Sequence, residues 1–210
     1  MKLRAAVVED DAFTLATLTA ALESVGVDVV ISVDNVPDAI RMAKVKMPAV
    51  ALLDLHLGKG PTGIDLGHAL RRQNDKIGLV FLTSFDDPRL LLGHSPKFPA
   101  NHSYLRKQEV GNLPGLLRVM ENSLLPNTKV SQSDTANSLM KLTDTQIDIL
   151  RLVGMGFSNA EIARQKFILE KSVSVAINRL AKSLGLKHSP SQNQRVHIAN
   201  KALSSGVFKN

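Results

Sequence analysis

Four short segments of this 210-residue chain end in side chains suited to chemistry: VVEDD (7–11), LLDLHL (52–57), FLTS (81–84) and YLRK (104–107). Each runs from apolar into polar residues, as a buried strand does at its carboxyl end. If those ends meet, Glu9, Asp10, Asp11 and Asp54 form a set of carboxylates that repel one another in a low-dielectric cleft. A hard divalent cation removes the conflict, and carboxylate oxygens with water suit Mg2+. The hydroxyls of Thr83 and Ser84 and the ammonium of Lys107 then offer hydrogen bonds and positive charge to the oxygens of a phosphoryl group. Taken singly, each residue has an ordinary explanation. An acidic turn caps a helix, a strand-end aspartate forms a turn, Thr83 is a common strand residue and Lys107 a common surface charge. Taken in this order, they point to phosphoryl chemistry.

To meet, these residues need one edge of one sheet. Residues 3–8, 27–32, 49–54, 77–83 and 101–106 are short, β-rich and apolar, while 12–25, 36–47, 64–73 and 110–125 carry helical spacing. Near-continuous apolar strands alternating with helices predict an α/β fold, a (βα)5 doubly wound parallel sheet covered on both faces. Functional groups of such sheets collect beyond the carboxyl ends of the strands, near a topological switch point. A fourth helix belongs in residues 86–100. Pro88, Gly93, Pro96 and Pro99 leave room there for a short one at most.

Composition narrows the function classes. The absence of cysteine excludes disulfides, thiolate metal sites and cysteine nucleophiles. The opening MKLRAAVVEDD has too short an apolar run for a signal peptide, and no stretch is long and apolar enough for a membrane helix. A cytoplasmic protein with no membrane partner is expected. The net charge of +7 is unevenly placed: residues 1–137 hold 15 Lys and Arg against 15 Asp and Glu, and residues 138–210 hold 11 against 4. A small basic module beside a neutral larger one points to a polyanion partner for the module.

Residues 126–141 are polar, rich in Ser, Thr and Asn, and read as a linker between domains at 1–125 and 142–210. The second domain reads as all α. LTDTQIDIL opens on a capping box, Thr143 with Gln146, and SNAE (158–161) is a second. Leu142, Ile147, Leu150 and Val153 are spaced for one buried face. In 170–184, Val173, Ile177, Leu180 and Leu184 share a face. The opposite face carries Lys171, Ser174, Val175, Asn178 and Lys182, with Arg179 beside them. A last helix is expected over 190–204. Short helices joined by a tight turn, the later one basic and polar outside, suggest a helix-turn-helix. The plainer alternative is a three-helix bundle with a solvated charged face.

VVEDD, LLDLHL, FLTSF and YLRK resemble the receiver domain of two-component response regulators, over roughly residues 1–125. LTDTQIDILRLVGMGFSNAEIA and EKSVSVAINRLAKSLGL resemble a LuxR-type (NarL/FixJ) DNA-binding domain over 140–186. The first resemblance implies that Asp54 accepts a phosphoryl group from the phosphohistidine of a sensor histidine kinase. It further implies that Glu9, Asp10, Asp54 and the His56 main-chain carbonyl serve Mg2+, that Thr83 and Lys107 contact the phosphoryl group, and that Tyr104 is the switch aromatic. The second implies that Ser174, Val175 and Asn178 face base edges and that Lys171, Arg179 and Lys182 face phosphates of double-stranded DNA. A homodimer is implied for the active state. The implied protein is a transcription regulator and not an enzyme.

This chain departs from the family pattern at several places. Gly58 replaces the usual proline after DLHL, and Gln108 replaces the proline after Lys107. Residues 86–100, on the family's output surface, are broken. Ser174 and Ala176 replace a common Lys and His, and Leu169 stands where a Ser or Thr usually caps the recognition helix. Two other readings fit the residues. One is a receiver that works through protein contacts without phosphate. The other is an aspartate-nucleophile phosphatase, which commonly needs an acid where His56 stands and would leave the basic tail unexplained.

Overall fold

The computed structural model describes residues 2–58, 60–92, 95–125, 139, 141–186 and 193–207. Most of the expected linker at 126–141 lies outside them. The chain divides into two compact units: residues 1–83 with 97–132, and residues 84–96 with 133–210.

The first unit is a five-stranded parallel sheet in the order β2-β1-β3-β4-β5, with β1 Arg4–Val8, β2 Asp28–Val33, β3 Val50–Asp54, β4 Gly78–Thr83 and β5 His102–Arg106. Helices α1 Ala12–Ser24, α2 Val36–Ala43, α3 Gly63–Gln73 and α5 Leu113–Asn122 surround it. Every residue of β3 and β4 is buried, because helices cover both faces. One face packs Ala5, Val7, Val50, Leu52, Val80 and Leu82 against Leu18 and Leu22 of α1 and Leu116 and Met120 of α5. The expected five-stranded parallel sheet is therefore present.

Two helices are shorter than their periodicity suggested. Helix α2 ends at Ala43, not Met47, because Pro48 disfavours helical geometry in the residue before it and β3 must start at Val50. Helix α5 starts at Leu113, after a 3-10 turn over Lys107–Glu109. Asn112 caps it by accepting from the Gly115 N–H at 3.2 Å, and Pro114 sits in its first turn, where no N–H is needed.

The loop after β3 folds back under Asp54. Thr62 caps α3 in a two-way capping box with Asp65, and Gly63 is the first helical residue. A Cβ on Gly63 would stand 1.9 Å from the Asp54 carbonyl oxygen, so only glycine fits this turn. Gly63→Ala is expected to lower the unfolding free energy of the full chain by about 3 kcal/mol in a urea titration, by forcing α3 away from β3. An unchanged midpoint would show that the loop is not packed this way.

The second unit is helical: α4 Pro88–Leu92, α6 Asp144–Gly154, α7 Asn159–Lys166, α8 Glu170–Ser183 and α9 Gln194–Ser204. The break after Thr83 thus leaves a five-residue helix, as the prolines required. Thr143 and Gln146 form the expected capping box of α6. The second box is only half made. Ser158 accepts from the Glu161 N–H, but the Glu161 carboxylate turns to Arg164 and Gln165, where charge-assisted bonds are stronger. Helix α9 begins at Gln194, and residues 190–192 of the helix expected over 190–204 lie outside the described residues.

Helix α6 is the largest departure from the sequence reading. Its expected face is buried, but so are Asp148, Ile149, Leu152 and Gly154, so α6 is covered nearly all round. Its cover comes from α7, α8, α9 and from the 84–96 segment, whose Phe85 and Leu90 join the same apolar cluster. The buried Asp148 is held by Arg151 at 3.0 Å and by Lys166.

Candidate functional site

Parallel register brings the chemical residues to one level. Val8 stands opposite Leu53, Asp54 opposite Leu82, and Thr83 opposite Arg106. Glu9 follows β1 and Asp54 ends β3, and these neighbouring strands flank the point where the strand order reverses. Chain segments separated by up to 98 residues therefore converge.

Lys107 lies between two of the carboxylates. Its Nζ is 2.7 Å from Glu9 Oε1 and 3.1 Å from Asp54 Oδ2. Glu9 is fully buried, Asp54 is 5% exposed and Thr83 1% exposed, whereas Asp10 is open to solvent. Burial pushes the Asp54 carboxyl above its ordinary range. The Lys107 charge and hydrogen bond, and a backbone bond from His56, offset only part of that push. Burial also raises Glu9, against the Lys107 bond, and the Asp54 charge raises it further. Burial works against the charged form of Lys107, but its bonds to two carboxylates outweigh this and hold its pKa up. Burial thus dominates at the two acids, while at Lys107 the bonds to those acids outweigh it.

Donor atoms of Glu9, Asp10 and Asp54 lie within 4.8 Å of one another. The second Glu9 oxygen, Oε2, is buried without a hydrogen-bond partner. A buried carboxylate oxygen without a partner costs free energy that a cation or its bound water recovers. The residues therefore fit a hard divalent ion. Gly58, standing where the sequence pattern has proline, brings the loop to Asp10, since a Cβ there would lie 3.6 Å from Asp10 Oδ2. Asp11 is not part of the cluster; its side chain caps α1 by accepting from the Thr14 N–H at 2.7 Å.

Tyr104 is on β5, half-buried, with its ring edge-on to Phe98 at 6.3 Å. Phe98 also stacks on His102 at 4.5 Å and leans on Phe81 at 5.0 Å. His68 and Arg71 of α3 bond to the carbonyls of Lys97 and Asn101 at 2.8 Å, which fixes this aromatic layer. The sequence reading did not find Phe98, His68 or Arg71. The proline-broken segment carried no periodicity from which to place them.

In the second unit, Lys171, Val175, Asn178, Arg179 and Lys182 are exposed on α8, while Val173, Ile177 and Leu180 are buried. Leu169, at the N-cap, offers no side-chain bond, as its type required. Leu169, Lys171, Val175 and Arg179 border an open groove against α6. Ser174 is half-buried and bonded, taking a hydrogen bond from Asn159 Nδ2 at 3.2 Å. Asn159 in turn accepts from Arg195 of α9 at 2.6 Å. This chain of bonds ties α7, α8 and α9 together and sets the tilt of α8. Neither Asn159 nor Arg195 stood out in the sequence, because long polar side chains are ordinary on helix surfaces.

A doubly wound sheet with an acid–lysine set at its switch point, followed by a helix-turn-helix, has the make-up of a signal-responsive DNA-binding protein. Comparison with known proteins gives the family. Residues 5–93 match the response regulator receiver domain, and residues 140–194 match the luxR family of bacterial regulatory proteins. The chain is 29% identical to a nitrate/nitrite response regulator protein homolog of Haemophilus influenzae, over 76% of this chain and 78% of that one. It is 24% identical to the oxygen regulatory protein NreC of Staphylococcus aureus, over 68% and 72%. Among solved structures it is similar to the response regulator RcsB in a complex with DNA, with a TM-score of 0.59, 21% identity and coverage of 98% and 99%. A second similar structure is RcsB of Salmonella enterica serovar Typhimurium bound to the promoter rprA with phosphomimetic BeF3-, with a TM-score of 0.56, 20% identity and coverage of 97% and 100%. This chain belongs to the response regulators that join a receiver domain to a LuxR-type DNA-binding domain. No described helix is long and apolar enough to cross a membrane.

Proposed function

We propose that the chain is a phosphorylation-controlled transcription regulator. Asp54 accepts a phosphoryl group from the phosphohistidine of a sensor histidine kinase, and the C-terminal domain binds double-stranded DNA. The observation that carries this reading is the Glu9–Lys107–Asp54 set, a buried carboxylate held beside a cation and an acid with an unpaired oxygen.

An Asp54 carboxylate oxygen attacks the phosphorus, the new O–P bond forms as the N–P bond breaks, and the imidazole leaves with the electron pair. Lys107 follows the charge onto the phosphoryl oxygens, and the Thr83 hydroxyl donates to another of them. Glu9, Asp10, Asp54 and the His56 carbonyl would hold Mg2+, which supplies positive charge against the phosphoryl oxygens when bound. Tyr104, packed on Phe98, reports the change at Thr83 along the outer edge of the sheet. On α8, Lys171, Arg179 and Lys182 take phosphates, and Val175, Asn178 and Ser174 take base edges.

In function the chain divides into a receiver at 1–125, a linker at 126–141 and a DNA-binding domain at 142–210. It acts in the cytoplasm as a homodimer, and it regulates and does not turn over substrate. The structures of RcsB with DNA and with a phosphomimetic support this reading by likeness of fold. A second reading, a receiver that signals without phosphate, is favoured by the five-residue α4 and its membership of the second unit.

Acetyl phosphate with Mg2+ tests both. The wild-type full chain is expected to gain one acid-labile phosphoryl group by intact mass, and Asp54→Ala to gain none. Absence of an adduct on the wild type sinks the first reading in favour of the second. Rapid multiple turnover of added phosphoesters would instead make the chain a phosphatase.

A further inference from the structure

The chain leaves the first unit after Thr83 and rejoins it at Lys97, and the residues between them are built into the second unit. Phe85 and Leu90 are buried in one cluster with Leu142, Ile147 and Ile149. The Asp86 N–H donates to the Ser205 carbonyl at 3.0 Å. The Arg89 guanidinium donates to the carbonyls of Leu142 and Leu139 at 2.8 and 3.0 Å and to Asp144 at 3.0 Å. From its other side the buried Asp87 holds it at 2.8 Å. The Ser95 hydroxyl donates to Asp144 at 2.7 Å. Gly206, at φ +108°, admits the segment, since a Cβ there would lie 2.7 Å from the Ser84 carbonyl oxygen. Buried apolar anchors, a four-partner arginine and a glycine seat together make a fitted element, not a loop in passing.

We propose that residues 84–96 are a detachable latch that completes the core of the DNA-binding unit while Asp54 is unmodified, and that phosphorylation of Asp54 withdraws it. The second clause rests on the function proposed above. The latch begins one residue beyond Thr83. Consecutive Cα atoms are held 3.8 Å apart, so Ser84 is the only slack between Thr83 and the Phe85 anchor. A shift of Thr83 toward a phosphoryl group must therefore be met by Phe85. Helix α4 has five residues, too few to persist as a helix alone, so it is helical only while packed. An element of this kind opens at low cost, which suits a switch between two populations. Withdrawal releases the Leu142 carbonyl and Asp144 at the start of α6.

Hydrogen–deuterium exchange on the full chain, read at peptides over 84–92, 141–150 and 48–54, tests the latch. Arg89→Ala, unphosphorylated, is expected to speed exchange roughly ten-fold or more in 84–92 and 141–150 together, because it removes the guanidinium that ties Asp87 to the Leu139 and Leu142 carbonyls and to Asp144. The 48–54 peptide should keep its rate, which separates unlatching from unfolding. Arg89→Lys, which keeps the charge but loses the fork, should fall between. If 141–150 keeps the wild-type rate in Arg89→Ala, the latch is refuted. Wild type carrying the acetyl-phosphate adduct should accelerate the same two peptides. If the adduct forms and both rates stand still, phosphate control is refuted. If no adduct forms, the phosphoacceptor reading and the phosphate control built on it fail, and the Arg89 arm still decides the latch.

Discussion

Replacing Lys107 with alanine is expected to cost about 3 kcal/mol of folding stability at pH 7, and to abolish phosphoryl uptake from acetyl phosphate. The stability loss follows from burial. Glu9 is fully buried and Asp54 nearly so, and Lys107 is their shared partner. Breaking a buried pair by removing one member leaves uncompensated charge, which typically costs about 3–5 kcal/mol. The open Asp10 side of the site admits water and moves the figure to the lower end. The pH dependence has a definite sign. Both carboxyls are raised in the folded chain above their ordinary values of 4.5 and 3.8, so the folded state binds protons first as pH falls. Their ionisation therefore subtracts stability as pH rises from those values through the folded ones. In Lys107→Ala the deficit should shrink as pH is lowered from 7 toward 5. Lys107 itself is raised above 10.5, so its contribution in the wild type is complete below that value and fades as pH climbs through its folded pKa. Mg2+ should recover part of the variant's lost stability, because it binds the folded carboxylates and not the dispersed unfolded ones. Urea unfolding across pH, with and without Mg2+, reads all three effects. A variant as stable as wild type at pH 7 would show that the acids are solvated.

The site was legible in the sequence because parallel sheets obey a simple rule. Apolar runs end where the strand leaves the core, and those ends share one edge, so Glu9, Asp54, Thr83 and Lys107 could be brought together without knowing any distance. Their partners were not equally visible. The Glu9–Lys107 bond joins residues 98 apart and depends on which of several acids is buried. Alternation could not say that Glu9 would be sealed while Asp10 stayed open. Helix α6 shows a different limit. Its i, i+3, i+4 pattern marked one face, and that face is buried, but Ile149 and Leu152 were left over as apolar residues on the other side. They belong to one apolar cluster with residues of the neighbouring helices and with Phe85 and Leu90, supplied from a segment more than 50 residues earlier. Proline and glycine correctly forbade a full helix at 86–100. A list of breakers says what a segment cannot form, not where it goes. The fold-specifying information in that stretch lies in Phe85, Arg89 and Leu90, three residues too few for any period.

The combined change Lys171→Ala, Arg179→Ala and Lys182→Ala is expected to lower DNA affinity by roughly 100-fold or more near 0.1 M salt, and to flatten the plot of log K against log salt by about 3. All three cations stand on the exposed face of α8, opposite Val173, Ile177 and Leu180. Among the described residues none of the three pairs with an acid, in contrast to Arg151 and Arg164, which are spent on Asp148 and Glu161. A cation free to meet phosphate releases a counterion when it binds, and that release sets the salt slope. The loss should be nearly equal for any duplex, because phosphate contacts carry register and not sequence. Asn178→Ala should behave differently, costing about 1–3 kcal/mol on a selected target and little on random duplex, with the salt slope intact. Val175, 42% exposed on the same face, offers only a methyl contact, and Ser174 is already bonded to Asn159. On the proposed function, sequence discrimination by α8 is expected to rest chiefly on Asn178. Fluorescence anisotropy of the full chain over a salt series, on a selected and a scrambled duplex, separates the two variants. If the triple variant keeps the wild-type slope, the basic face of α8 is a solvated surface and the polyanion contact lies elsewhere on the chain.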